Sequence, residues 1–256
     1  GIPGVTNMVV RYFEDERGTA PWTLPPWIEA NGPRRHAHHE VYYLHSTQDR
    51  EWQAAGFFIG QEQTAVGGYR ADSPWPPPVG SLYMYHDPQT VHARGENLAV
   101  STANGFHKLF TERFNSMNHR TLLSSRVLDG VVVFRLLPYD SFGRLLDEYS
   151  LTRLMGLGLT NGHYQTNIWV GLTTANLAGS PGVSVPARGV TFSGDRIPAM
   201  IEIELGVMDP KTLDAYRSVR DAGPAAALAF LERNQARVQM FRRRIQLRTA
   251  SRSLQP

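Results

Sequence analysis

YHDPQTV at residues 85–91 and VMDPKTL at residues 207–213 are two copies of one stretch, and the rest of the sequence is arranged around them. Each copy follows a short run of alternating apolar residues and precedes residues with helical spacing. With no gap, the register continues at an offset of 122 residues. A fixed long period indicates a tandem repeat. The sequence therefore predicts two units, residues 1–127 and 128–256, each of ordinary domain size.

The Asp-Pro pair in each copy is typical of the start of a helix. Asp87 and Asp209 lie where a helix N-cap is expected, and the following prolines would take the first helical position. Apolar residues then recur at steps of three and four, which predicts one apolar helix face in each unit. This face comprises Phe106, Leu109, Phe110, Phe114 and Met117 in the first unit, and Leu228, Leu231, Val238, Phe241 and Ile245 in the second.

Short apolar runs predict the strands that precede these helices. They lie at residues 5–13, 54–60 and 82–85 in the first unit, and at residues 133–136, 168–174 and 201–205 in the second. A helix from Ser141 to Leu154 is predicted between the first two strands of the second unit. The order strand, crossover, strand, strand, helices predicts a ferredoxin-like α+β unit. Two such units would pack sheet on sheet as a pseudo-dimeric α+β barrel.

The composition is typical of a folded globular protein. The 256 residues are 41% hydrophobic and 19% charged. The chain has no cysteine, which excludes disulfides, iron–sulfur clusters and thiol catalysis. No apolar run reaches the ~18 residues of a membrane span, so no transmembrane segment is predicted. The formal net charge of +3 is too small to indicate a nucleic-acid partner.

The sequence resembles the NIPSNAP family in four places. These are the strand and helix at residues 133–148, the Ala-Gly-Phe-Phe run at residues 55–58, the acidic turns at Asp87 and Asp209, and the Arg/Gln-rich segment at residues 230–255. The resemblance implies two dimeric α+β barrel domains in one chain, in a mitochondrial protein that acts through interactions. It supplies no catalytic, cofactor-binding or metal-binding residue, so we assign none and expect no cofactor.

Histidines cluster at His36, His38 and His39, with His45 nearby. Neutral imidazoles are ligands for zinc and copper, and this spacing presents two or three ring nitrogens. The alternative is a polar surface loop or an interface segment. We favour this second interpretation because no cysteine accompanies the histidines.

Glu202 and Glu204 form a Glu-x-Glu pair on a predicted strand, so both side chains point to the same face. ADP-ribosyltransferases use such a pair, and Arg135, Thr173-Thr174 and the two glutamates follow in that chain order. However, the Ser-Thr-Ser strand of those enzymes is absent. We therefore favour a solvent-facing or edge pair on the third strand of the repeat.

An enzyme of the α+β barrel class is the alternative function. Related barrels bind haem or carry out cofactor-free monooxygenation in their interior. Candidate haem ligands are His86, His92, His107, His119 and His163. The sequence contains no Walker A motif, no dinucleotide-binding glycine motif, no Gly-x-Ser-x-Gly and no His-Glu-x-x-His.

The C-terminal segment from residue 233 to residue 256 has no acidic residue. It carries seven arginines, namely Arg233, Arg237, Arg242, Arg243, Arg244, Arg248 and Arg252. Such a segment suits an acidic protein surface, anionic lipid headgroups or RNA, which we rank in that order. The simpler interpretation is one solvated helix face.

These observations favour a non-catalytic accessory subunit of a large mitochondrial assembly, in the matrix or on the matrix face of the inner membrane. A respiratory-chain complex or the ATP synthase is the first expectation. Its partners would be other subunits of that complex, with anionic lipid headgroups as a further contact of the C-terminus. Aromatic side chains in the proline-rich stretches, including Trp22, Trp27 and Trp75, suit protein–protein contact surfaces.

Overall fold

The computed structural model of this chain describes residues 6–13, 38–48, 51–60, 79–92, 122–146, 164–169, 187–193 and 197–247. These residues form nine strands: β1 (Thr6–Phe13), β2 (His39–Gln48), β3 (Glu51–Gly60), β4 (Gly80–His92), β5 (Ser124–Tyr139), β6 (Tyr164–Trp169), β7 (Ala187–Ser193), β8 (Met200–Met208) and β9 (Val238–Gln246). Two helices, α1 (Pro210–Arg220) and α2 (Pro224–Arg233), and a 3-10 turn (Gln235–Arg237) connect β8 to β9. The α+β class is as predicted.

All nine strands belong to one antiparallel sheet. Their order is β6-β7-β1-β2-β3-β4-β5-β8-β9. The strands predicted at residues 5–13, 54–60 and 201–205 are confirmed as parts of β1, β3 and β8. The helix face predicted from Phe106 to Met117 lies outside the described residues. The helix predicted from Ser141 to Leu154 is wrong for its first six residues, which form a turn and a bridge between Leu145 and Tyr139, and residues 147–154 lie outside the described residues. The predicted boundary between residues 127 and 128 falls inside β5.

The second Asp-Pro pair starts a helix, as predicted. Asp209 is the N-cap of α1, and its carboxylate accepts hydrogen bonds from Thr212 N at 3.1 Å and Thr212 Oγ1 at 2.6 Å. Pro210 takes the first helical position, where its missing N–H leaves no hydrogen bond unmade.

The first Asp-Pro pair, Asp87-Pro88, does not start a helix. The prediction of Asp87 as an N-cap is wrong. β4 continues through it to His92. On the neighbouring strand β3, Gln53 pairs with Thr90 while the next residue, Ala54, pairs with Asp87. The two residues between them form a bulge, and a bulge accommodates proline because it needs no ladder N–H there.

The helix face predicted through Val238, Phe241 and Ile245 is also wrong. After the 3-10 turn the chain extends into β9, which pairs with β8 along its whole length. Val238, Phe241 and Ile245 are spaced by three and four residues, but residues 238–246 fit a strand equally well by length. Pairing with β8 decides between the two, because it places arginines of β9 opposite glutamates of β8.

β5 is the strand on which the halves of the chain meet. Its residues 124–131 pair with β4, and its residues 131–139 pair with β8 on the other edge. His38, which lies just before β2, forms a β-bridge with Phe134 on the edge of β5 that pairs with β4 nearer its start. β2 and β5 are separated by two strands in the sheet, so this contact requires the sheet to curl.

One buried apolar cluster joins most strands of the sheet. It takes side chains from seven strands and from the turn after β5, namely Met8, Val10, Val41, Ile59, Leu82, Val131, Phe134, Leu136, Leu146, Phe192 and Ile201. A second cluster packs α1 and α2 against the end of β8 through Val79, Met208, Leu213, Tyr216 and Ala227. No helix in the described part of the chain is long and apolar enough to span a membrane.

Candidate functional site: a charged ladder on three strands

Five charged residues lie side by side on one face of β5, β8 and β9. They are Arg135, Glu202, Glu204, Arg242 and Arg244, and we call this set the charged ladder. The register places Glu204 opposite Arg135 on one side and opposite Arg242 on the other, while Glu202 lies opposite Arg244. Residues two apart on a strand share a face. The Arg-x-Arg pair of β9 therefore lies directly opposite the Glu-x-Glu pair of β8.

Each glutamate lies between two guanidinium groups. Glu204 Oε2 is 3.4 Å from Arg135 Nη1, and Glu204 Oε1 is 2.5 Å from Arg242 Nη2. Glu202 Oε1 is 3.4 Å from Arg242 Nε, and Glu202 Oε2 accepts a hydrogen bond from Arg244 Nε. Three cations therefore face two anions, and Arg242 bridges both carboxylates.

Burial in the ladder is unequal. The two glutamate side chains are each 4% exposed, whereas Arg242 and Arg244 are 65% and 62% exposed. The prediction of a solvent-facing or edge pair is therefore wrong, because β9 lies outside β8. Buried carboxylates require ionic or hydrogen-bonding partners, and the arginines of β9 supply them.

Tyr139 closes the end of the ladder. The guanidinium carbon of Arg244 lies 5.6 Å from the centre of the Tyr139 ring, within the range of a cation–π contact. The hydrogen bond and charge of Glu202 raise the pKa of Arg244, and burial followed by the charge of Glu202 raises the pKa of Tyr139. Both groups stay in their protonated forms at neutral pH.

The ladder joins three strands and commits both carboxylates to arginine. The structure brings together Arg135 and Glu204, two residues of the chain order shared with ADP-ribosyltransferases, but Thr173 and Thr174 lie outside the described residues. A carboxylate that acts as a base must present a lone pair to substrate. Here the oxygens of Glu202 and Glu204 face guanidinium groups, so the arrangement favours a cross-strand clamp.

The histidines before β2 act on β5. His38 Nε2 donates to the carbonyl of Val132 at 2.9 Å, and His39 Nδ1 lies 3.1 Å from both the N–H and the carbonyl oxygen of Leu136. Both side chains are buried, and burial lowers the pKa of His38 to about 4. The two rings contact the edge of β5 beyond Val131, where β4 no longer pairs with it.

No metal site is formed by the described histidines and acids. Within residues that the structure describes, no group of three or more potential ligands comes together. His36 lies outside them. His45 is near His86 instead, with ring centres 6.2 Å apart, and burial and this neighbour lower the pKa of His45.

The candidate haem ligands are not brought together in the described part. His86 is exposed and makes a 3.2 Å hydrogen bond with Gln53. His92 lies at the end of β4. His107, His119 and His163 lie outside the described residues.

A second buried polar cluster lies on β2, β3 and β4 and was not predicted from the sequence. Tyr85 Oη donates to Asp87 Oδ2 at 2.9 Å, and both residues are fully buried. Gly56 lies between Tyr42 and Tyr85 in the strand register. Burial, with smaller contributions from Tyr85 and Asp87, raises the pKa of Tyr42. No local sequence signal links these residues, because Tyr42, Gly56 and Tyr85 are far apart along the chain and meet only through the strand register.

The arginine-rich C-terminal segment does not form one helix face. Arg233 ends α2 and donates from Nε to the carbonyl of Ala229 at 3.0 Å. Arg242 and Arg244 belong to the ladder, while Arg243 points to the other face of β9. Arg248 and Arg252 lie outside the described residues. The signal for the ladder was the matched spacing of Glu-x-Glu and Arg-x-Arg.

No protein-family model, curated protein or solved structure matches this chain. The NIPSNAP resemblance therefore stays a prediction based on the motifs quoted above. The site is interpreted from its own contacts, which describe a strand clamp beside an exposed sheet edge.

Proposed function

We propose that this chain is a non-catalytic subunit of a large mitochondrial assembly and acts through protein–protein contacts. The observation that carries the proposal is the exposure of β9. Phe241 and Ile245, 55% and 40% exposed, lie on an edge strand whose inner side is fixed to β8 by the charged ladder. Exposed apolar side chains beside arginine are typical of contact surfaces.

The charged ladder supports this role because it fixes the edge strand β9 to β8. A single edge strand held only by backbone hydrogen bonds frays readily. Here Arg242 and Arg244 cover the buried carboxylates of Glu202 and Glu204. Separation of β9 from β8 would break these ion pairs. A preorganised edge loses less conformational freedom when a partner binds.

The finer fold is part of the proposal. In a ferredoxin-like unit, the first strand lies antiparallel to the third, and the third leads into a helix. β5 and β8 are antiparallel neighbours, and β8 leads into α1 at Asp209, which supports this order for the second unit. We also propose that two such units pack together as a pseudo-dimer. Anionic lipid headgroups are proposed as a further contact of the arginine-rich C-terminal segment.

The mitochondrial setting rests on the family resemblance. A respiratory-chain complex or the ATP synthase is proposed first. The test is native electrophoresis of gently solubilised mitochondria from the source organism, followed by detection of this chain. We expect it to migrate with a megadalton membrane complex.

Migration at its own mass of 28.7 kDa, or at a small multiple of that mass, would contradict the proposal. Two controls are needed. A matrix enzyme of known size must migrate free in the same gel, and high salt during solubilisation must not create the co-migration. A haem absorption band in the native protein would instead favour the alternative α+β barrel enzyme.

A further inference from the structure

We propose that the outer edge of β9 binds an extended acidic segment of a partner protein as a tenth strand of the sheet. This inference rests on the proposed function, since it names the surface and the partner chemistry through which the contacts are made. The segment would carry an acidic residue opposite Arg243, with apolar residues opposite Phe241 and Ile245.

The first argument is the state of the edge. β9 pairs with β8 on one side, and within the described residues no strand pairs with its other side. Every residue from Phe241 to Gln246 is exposed. The outward N–H and carbonyl groups of this stretch are therefore accessible and form a template for an added strand.

The second argument is the chemistry of the two faces. Phe241, Arg243 and Ile245 alternate on one face, so a cation lies between two exposed apolar side chains. Among the described residues, no ion pair to Arg243 is formed. An acidic residue opposite Arg243 would pair with this cation, and acidic residues on either side of it would lie opposite Arg242 and Arg244, which reach solvent.

The third argument excludes a second copy of this chain. Antiparallel pairing of two β9 strands centred on Arg243 would place Arg243 opposite itself and Arg242 opposite Arg244. Like charges directly opposite each other on neighbouring strands are destabilising. The exposed Phe241 and Ile245 also favour a peptide over a nucleic-acid backbone, which would leave both side chains without apolar contacts.

The test uses the full chain and a synthetic nine-residue peptide with Val-Glu-Glu-Glu-Val at its centre. Binding is measured by fluorescence anisotropy at physiological salt, and the binding site is measured by hydrogen exchange. We expect slower exchange of the β9 amides. Two peptide controls are needed: lysine in place of glutamate, which tests charge, and N-methylation of alternate backbone amides, which tests strand addition. Both should bind at least about tenfold more weakly.

The matched protein variants are Arg243→Glu and Arg233→Glu. Both change the net charge equally at exposed positions, but only Arg243 lies on β9. We expect Arg243→Glu to weaken peptide binding by at least about tenfold and Arg233→Glu to leave it within about twofold. Arg243→Gln serves if the charge reversal disturbs folding, with a smaller loss expected.

Equal weakening by the two reversals, or full binding of the N-methylated peptide, would overturn the inference in favour of unspecific attraction. Tighter binding of a single-stranded RNA oligonucleotide than of the peptide would overturn it in favour of a nucleic-acid surface. The proposed function fails separately. If Arg243→Glu still migrates with the large complex, this edge is not the contact, whereas free migration of the wild-type chain contradicts the subunit role itself.

Discussion

Arg135 and Glu204 face each other across β5 and β8, with Arg135 Nη1 3.4 Å from Glu204 Oε2, and both side chains are shielded from water. Arg135 is 17% exposed and Glu204 is 4% exposed. The other ion pairs of the ladder involve arginines that reach solvent. Coulomb attraction is stronger where water is excluded, so this pair distinguishes the two glutamates.

Glu204→Gln should therefore cost more stability than Glu202→Gln. The first variant removes the charged partner of Arg135 on β8 in a shielded position, and we expect a loss of about 2 kcal/mol in the free energy of unfolding. The second affects arginines that water can solvate, so its loss should be clearly smaller. Urea unfolding of both variants makes the comparison. Equal losses would show that the ladder does not depend on the shielded pair.

His38 should make stability depend on pH below neutrality. Burial lowers its folded pKa to about 4 from an ordinary value of 6.5. Between these values the unfolded chain binds a proton that the folded chain does not, so stability is complete above pH 6.5 and falls as the pH drops towards 4. The slope contributed by one proton is at most ~1.4 kcal/mol per pH unit.

The matched variant for this prediction is His38→Gln. Its amide can still donate to the carbonyl of Val132 but does not titrate. Urea unfolding at several values from pH 7 to pH 5 should give a flatter dependence for the variant than for the wild type. Identical slopes would show that His38 is solvated in the folded protein.

Gly206 should not tolerate a side chain. It lies between Val133 of β5 and Met240 of β9, and a Cβ there would approach Met240 Sδ to 2.7 Å and Val133 Cβ to 3.1 Å. We expect Gly206→Ala to lower the free energy of unfolding by ~1–3 kcal/mol, as overpacking does. Met240→Ala in the same chain should recover part of the loss, because the flexible sulfur is the nearer contact. Strict additivity in the double-mutant cycle would contradict this contact.

Asp209 should stabilise α1 through its cap. Hydrogen bonds from Thr212 lower the pKa of Asp209, so its contribution is complete above its ordinary pKa of 3.8 and is lost as the pH falls through the lower folded value. Asp209→Ala should lower the melting temperature by a few degrees at pH 7. Asp209→Asn keeps a capping oxygen and should retain most of the stability at pH 7 while losing the acid dependence. Equal melting temperatures for the two variants would show that the cap contributes little.

The sequence predicts a strand where apolar and charged residues alternate, because the two kinds of side chain then lie on opposite faces of the sheet. Ile201, Ile203 and Leu205 alternate with Glu202 and Glu204, so the sequence predicted both β8 and the shared face of the glutamates. It did not predict that the face was covered. That depends on β9, whose sequence fits helical spacing as well as strand length, and a choice of this kind is made by tertiary pairing rather than by local preference.

The two Asp-Pro pairs show the same limit. Their local sequences are alike, yet Asp209 caps a helix and Asp87 lies in a strand. At Asp87 a bulge opposite β3 absorbs the proline, and Tyr85 supplies a hydrogen bond to the carboxylate. The bulge depends on pairing with β3, which lies far from the pair in sequence, so a local start signal cannot separate the two outcomes.

The two neighbours of β1 in the sheet are synthesised at very different times. β1 lies between β2 and β7, and Val10 pairs with Val41 on one side and with Val190 on the other. During synthesis β2 becomes available soon after β1, but β7 is made only after β2 to β6 have been synthesised. Until then β1 presents an open edge to other nascent chains. Agents that slow elongation lengthen this interval, so they should increase aggregation of the nascent chain.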